Sequence, residues 1–204
     1  MKKNKGIKIF LIILVIILCI LGCMVLYTKM IDNKNEEEVK TIEEISEYGY
    51  ALKDNAPALY KSEFDNLKKI LKSDEIDYDE YAKEVAKLFI IDFYTLDNKL
   101  SKNDIGGTCF IKEDIKDNFI EQSRSTFYKY LEIKDNRTQE LPIVSSIDDV
   151  TVENTTFKYK DKRVDENAYR VSISWSYEED LGYETESNMI LVKDGKKLDI
   201  IEMD

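Results

Sequence analysis

The sequence predicts an α+β protein: an N-terminal transmembrane helix, then about four helices packed on a curved antiparallel sheet of four to five strands. Three observations predict it. Residues 9–27 form one uncharged apolar run. From there to about residue 132, apolar side chains recur mainly at the 3.6-residue spacing of helices. After Pro142 the period changes to two, the signature of half-buried strands. With 204 residues, 7 glycines and 2 prolines, the chain has the sparse punctuation of one globular unit beyond the anchor.

The apolar run IFLIILVIILCILGCMVLY holds nineteen residues, which at 1.5 Å per residue approaches the ~30 Å hydrocarbon core of a bilayer. Lys2, Lys3, Lys5 and Lys8 precede it, and the mostly acidic DNKNEEE follows. The positive-inside rule therefore keeps residues 1–8 in the cytoplasm and sends the rest outward. The expected organisation is a basic tail (1–8), a membrane helix (9–28), a tether (29–38) and an extracellular domain (39–204) on the plasma membrane. A cleaved signal peptide is the competing reading, but the run exceeds the usual ~7–15 apolar residues and lacks a small-x-small site. Ile20-Leu21-Gly22-Cys23 loosely resembles a lipobox, which makes Cys23 a candidate for lipidation. All three readings export the domain.

In the exported part, Val39, Ile42, Ile45 and Leu52 read as a first helix behind an acidic opening turn. Asn55 and Pro57 break it. Tyr60, Phe64, Leu67 and Leu71 then follow at i, i+4, i+7 and i+11, a second helix. Asp77-Tyr78-Asp79-Glu80 has the form of a capping box, and the helix it opens is apolar on nearly every side from Val85 to Leu96, so it should be the most buried. Gly106-Gly107 marks a turn before a short edge strand at Thr108–Ile111. A fourth helix is expected over 113–132, with Ile115, Phe119, Ile120, Phe127, Tyr130 and Leu131 on its apolar side.

Val150, Val152, Phe157 and Tyr159 alternate, as do Tyr169, Val171, Ile173 and Trp175. Residues 189–192 and 198–201 flank Lys193-Asp194-Gly195-Lys196, whose Asp-Gly pair is a strong hairpin signal.

Composition excludes several kinds of chemistry. With no histidine, the chain has no Ser-His-Asp or Cys-His catalytic set and no imidazole metal site. Five lysines and no acid lie in residues 1–29, so 25 bases and 41 acids remain beyond, a net −16. Such a domain is a poor nucleic-acid binder. Cys19 and Cys23 fall in the apolar run, which leaves Cys109 without a disulfide partner in the domain and reads it as a small buried hydrophobe. The acidic runs at 36–38, 74–80 and 178–180 lack a calcium-loop spacing and read as solvated ends.

Two features invite functional readings. Asp92 is a carboxylate between Ile91 and Phe93 in the most apolar helix, where burial without a partner would raise its pKa and suit a general base. Its bland reading is a carboxylate bonded to neighbouring groups. Trp175, Tyr177 and Tyr183 gather aromatics where a strand becomes a loop, a candidate partner surface, since tyrosine and tryptophan are enriched at interfaces.

The order of helices, short strand, helix and antiparallel meander resembles the cone-shaped fold of the nuclear-transport-factor-like (cystatin-like) superfamily. With one anchor it also resembles the exported domains of conjugation and secretion channel assembly proteins. The stretches LFIIDFYTLDNKLSKNDIGG (88–107), RTQELPIV (137–144) and WSYEEDLGYETESNMILVKDGKKL (175–198) are similar to those of uncharacterised single-pass proteins of low-GC Gram-positive bacteria. The first resemblance implies a domain able to enclose a cavity, in which Asp92 would be the carboxylate of an isomerase- or dehydratase-like enzyme. The second implies an anchor and no activity. The expectation is a non-enzymatic binding or assembly module of the cell envelope, without cofactor or metal. It would be held in the lipid bilayer by residues 9–28 and engage an envelope protein or a second copy of itself. A lipoprotein accessory subunit is the further alternative.

Overall fold

The computed structural model describes residues 20–24 and 39–204. By its contacts the chain divides into two compact units, Met1–Glu38 and Val39–Asp204. Residues 20–24 are helical and the Cys23 thiol is exposed. The remainder of the apolar run, including Cys19, lies outside the described residues, among which no helix is long and apolar enough to cross a membrane.

The second unit is α+β, and it opens differently from the expectation. Residues expected to form a first helix instead make a hairpin, β1 (Thr41–Ile45) and β2 (Tyr50–Lys53), antiparallel with Ile45 opposite Tyr50. Tyr48 and Gly49 both donate their N–H to the Ile45 carbonyl at 2.9 Å, and Gly49 holds φ +69°. A side chain is disfavoured at that φ, so glycine fits the turn. The inward residues are Tyr48, Tyr50 and Leu52, at a period of two that the helical reading of Val39, Ile42 and Ile45 overlooked.

Helix α1 (Ala58–Leu71) starts after Pro57, as the break implied, and buries Tyr60, Phe64 and Leu67. Helix α2 (Tyr78–Tyr94) is capped by Asp77, whose carboxylate accepts the N–H groups of Asp79 (3.0 Å) and Glu80 (3.2 Å). Eleven of its 17 residues are buried. Because burying one large apolar side chain stabilises by about 1.5–3 kcal/mol, α2 is the organising element of the core. The expected strand at Thr108–Ile111 is a 3-10 turn, Thr108–Phe110, that leaves one parallel bridge between Ile111 and Ile200.

Helix α3 (Glu113–Ser125) stops seven residues before the expected end. The Ser125 and Thr126 hydroxyls both donate to the Gln122 carbonyl, at 3.0 and 2.7 Å, and compete there with the backbone. The chain turns instead, placing Tyr128 in the core and leaving Tyr130, expected on the apolar side, 75% exposed.

Strands β3 (Val144–Lys158), β4 (Val164–Tyr177), β5 (Glu186–Asp194) and β6 (Lys197–Met203) form an antiparallel meander in that order. Gly195 makes the β5–β6 turn at φ +61°. Register shifts in β3, at 144–146, 147–149 and 155–157, are bulges, where a strand bends. One sheet face contributes Val171, Ile173, Trp175, Met189 and Leu191 to the core shared with α2. The other buries Ala168, Ile190 and Val192 against Phe157 and Ile201.

Candidate functional site

Asp92 is engaged on both oxygens. Lys99 Nζ lies 2.5 Å from Oδ1, and the Gly107 N–H donates to Oδ2 at 2.7 Å. Burial pushes the carboxyl up, but the Lys99 ammonium and the Gly107 N–H outweigh it and hold the group below the usual range. That shift is opposite to the one a general base needs, and the geometry is that of an ion pair. Beside it lies a cavity of about 60 Å³, bordered by Lys53, Tyr60, Asn98 and Cys109. This is room for about two waters, far below the ~300 Å³ of the smallest ligand pockets. Burial, then Asp92, pushes the Cys109 thiol up to about 12, so it stays a neutral thiol.

A second titratable cluster joins α1 to α2. Glu84, 4% exposed, lies 3.1 Å from Lys87, which also reaches Glu63 at 3.4 Å. Burial and the facing Glu63 carboxylate push Glu84 up to about 8, whereas for Glu63 burial pushes up but the Lys87 charge and the hydrogen bonds from Lys87 and Asn66 outweigh it and hold it low. Glu84 is thus the carboxyl of the pair that holds its proton towards neutral pH, and its buried Oε1 has no hydrogen-bond partner. Because the folded-state pKa of Glu84 is raised, its stabilising protonation is complete below about pH 4.5 and is lost as pH rises towards 8. In urea unfolding, the wild-type chain should lose about 2 kcal/mol more than Glu84→Gln between pH 5 and 8. Parallel pH profiles of the two proteins would contradict the raised pKa of Glu84.

The concave feature suited to a ligand lies elsewhere. The end of α2 supplies Phe93 and Tyr94, α3 supplies Phe119, the following turn Phe127, the β4–β5 loop Tyr183, and β6 Met203. They line a groove of about 510 Å³ together with Gln122, Ser123, Thr126, Gly182 and Glu184. The rings form a continuous wall: Phe93–Phe119 and Phe93–Phe127 centroids are 5.4 Å apart, Tyr94–Phe127 5.2 Å, and Phe127–Tyr183 5.6 Å. Phe119, Phe127 and Tyr183 remain half-buried. The loop is held by an Asp180 carboxylate accepting the Gly182 N–H at 3.0 Å and by Tyr177 donating to the Glu184 carbonyl at 2.8 Å. Gly182 sits at φ +75°, which a side chain would disfavour.

The expected surface of Trp175, Tyr177 and Tyr183 is therefore corrected. Trp175 is 1% exposed and packs on Tyr94 with ring centroids 4.7 Å apart and planes tilted by 39°, because its position on β4 faces the core. Tyr177 supports the loop, and Tyr183 alone of the three lines the groove. Phe93, Phe119 and Phe127 were legible only as apolar helix residues, and Met203 lies beyond the expected strand at 198–201; nothing local marks their convergence. A larger depression of about 870 Å³ lies over Ser172, Ser174, Asn188 and Asp204. It is more polar, and its groups satisfy each other, as in Ser172 to Asn188 at 2.7 Å and Ser187 to the Asp204 carbonyl at 2.9 Å. The aromatic groove is the better site. Among the described residues no cluster of acidic or cysteine side chains could hold a metal ion.

Fold and groove define an α+β domain with an open aromatic site. No protein-family model, curated protein or solved structure matches the chain.

Proposed function

We propose that the chain is a membrane-anchored binding module whose domain, residues 39–204, stands outside the membrane and captures its ligand or envelope partner in the aromatic groove. The observation that carries the reading is the wall of Phe93, Tyr94, Phe119, Phe127 and Tyr183 around about 510 Å³, three of its rings half-exposed. Ligand sites typically span about 300–1,000 Å³ and combine apolar walls with a few polar groups, here Gln122, Ser123, Thr126 and Glu184. The lysine-flanked apolar run supports the anchor and its orientation. The helix-then-meander order supports the likeness to nuclear-transport-factor-like domains, although the β1–β2 hairpin stands where that layout led us to expect a helix.

Two measurements test the reading. Protease added to intact cells should digest a C-terminal tag; a protected tag would reverse the topology. In the full chain in nanodiscs, with 13C-labelled methionine methyls, at least one of a set of water-soluble neutral, cationic and anionic aromatic probes should shift the Met203 signal. The response should weaken at least tenfold in Tyr183→Ala. If no probe moves Met203, the groove is not a ligand site.

A further inference from the structure

We propose that the groove selects a small organic monocation, an ammonium carried on an aromatic or alkyl body. The inference rests on the reading of the groove as a ligand site and names the chemistry of its occupant. Among the residues lining the groove, Glu184 alone carries a charge. Its side chain is tied only by a long hydrogen bond from the Tyr94 hydroxyl, 3.4 Å to Oε2, and no ion pair to it occurs among the described residues. Burial, then Glu184 itself, pushes the Tyr94 phenol up, so that hydroxyl stays neutral and remains a donor.

The flanking cations do not line the groove and each already has a contact, although the buried Arg124 Nε has no hydrogen-bond partner. Arg124 on α3 pairs with Glu121 at 3.0 Å, and Lys129 after it lies over the Tyr130 ring, 4.8 Å from the centroid. The aromatic faces of the wall carry the negative side of their quadrupole, which attracts a cation and adds to the Glu184 charge. Glu178, Glu179 and Asp180 extend the negative potential along the same β4–β5 loop. An anionic ligand would meet Glu184 with no compensating base among the residues that line the groove. A neutral ligand would gain nothing from that carboxylate.

A volume of about 510 Å³ suits a molecule of small-ligand size. One acid set in an aromatic wall matches one positive charge with an apolar body.

The test compares three probes of matched size on the full chain in nanodiscs: 2-phenylethylammonium, 2-phenylethanol and 3-phenylpropionate, each read at the Met203 methyl. The ammonium should bind at least tenfold more tightly than the alcohol, and the carboxylate most weakly. Raising salt should narrow the gap. Glu184→Gln should remove the preference by bringing the ammonium's affinity down to that of the alcohol, and since Glu184 is exposed, the variant should fold. If alcohol and ammonium bind equally, or the carboxylate binds best, the cation inference is wrong and the groove still stands as a ligand site. Silence from all three probes would remove both this inference and the ligand-site reading.

Discussion

Gly106→Ala is expected to destabilise the domain by about 3 kcal/mol or more, the level at which single substitutions trace to a definite structural conflict. A Cβ on Gly106 would lie 2.0 Å from the Asp92 carbonyl oxygen, 2.6 Å from its carbon and 3.0 Å from Lys99 Cε. The first two are backbone atoms in the last turns of α2, so relief requires the loop to leave the helix. That movement would break two further contacts, the Gly106 N–H to the Tyr128 hydroxyl at 3.1 Å and the Tyr128 hydroxyl to the Phe93 carbonyl at 2.7 Å. Phe93 and Phe127 belong to the aromatic wall, so the groove should be lost with the loop. Gly195→Ala is the control, with φ +61° and open space around the site. It should cost only the left-handed penalty, about 1 kcal/mol. Urea unfolding compares the two, and similar losses would show that the close approach at Gly106 is not limiting.

Asp92→Ala should be nearly as damaging, at about 3–5 kcal/mol, the cost of stranding a buried charge. The Lys99 side chain is 3% exposed and would lose its nearest counter-charge, while the Gly107 N–H would lose its acceptor. Lys99→Met should cost less, because the Asp92 side chain is 18% exposed and retains the Gly107 donor. The double variant should recover part of the loss, with a coupling of about 1–3 kcal/mol in a double-mutant cycle. The pH dependence has a definite sign. A carboxyl held below its ordinary pKa contributes stability above the unfolded value, near pH 3.8, and loses it as pH falls through the folded one. Asp92→Ala should therefore flatten the acid limb of the stability profile. Additive single losses would mean that the two side chains do not act as a pair.

Both predictions concern one construction: a loop at 99–107 pressed on the end of α2, with the turn at 126–131 locked above it. Part of that was legible. The glycine pair at 106–107 marked a turn, and Asp92 in an apolar helix marked a carboxylate in need of a partner. The partner's identity was not legible, since Lys99 becomes a counter-ion only when the loop folds back on α2. The strand expected at 108–111 failed for a related reason. Gly107 at φ +72° and the 3-10 turn after it use up the residues, leaving only the Ile111 bridge to Ile200.

By itself, the sequence determined the elements whose cause is local. Apolar spacing and the break at Pro57 specify α1, the Asp77 cap and the dense apolar run specify α2, and Asp194-Gly195 specifies the β5–β6 turn. Period-two alternation specifies the sheet after Pro142. Its net −16 beyond residue 29 and its lack of histidine narrowed the chemistry before any fold was known. Tertiary structure alone decided the rest. Residues 41–53 carry apolar side chains compatible with a helix, yet Tyr50 is held by the Tyr81 hydroxyl at 2.7 Å and the Leu198 carbonyl at 2.9 Å. Those partners are 31 and 148 residues away. The groove is likewise assembled from five separate segments spanning Phe93 to Met203. Local periodicity reports which side chains avoid water, but which of them meet depends on chain reversals that bring distant residues together, and no window of sequence contains both partners.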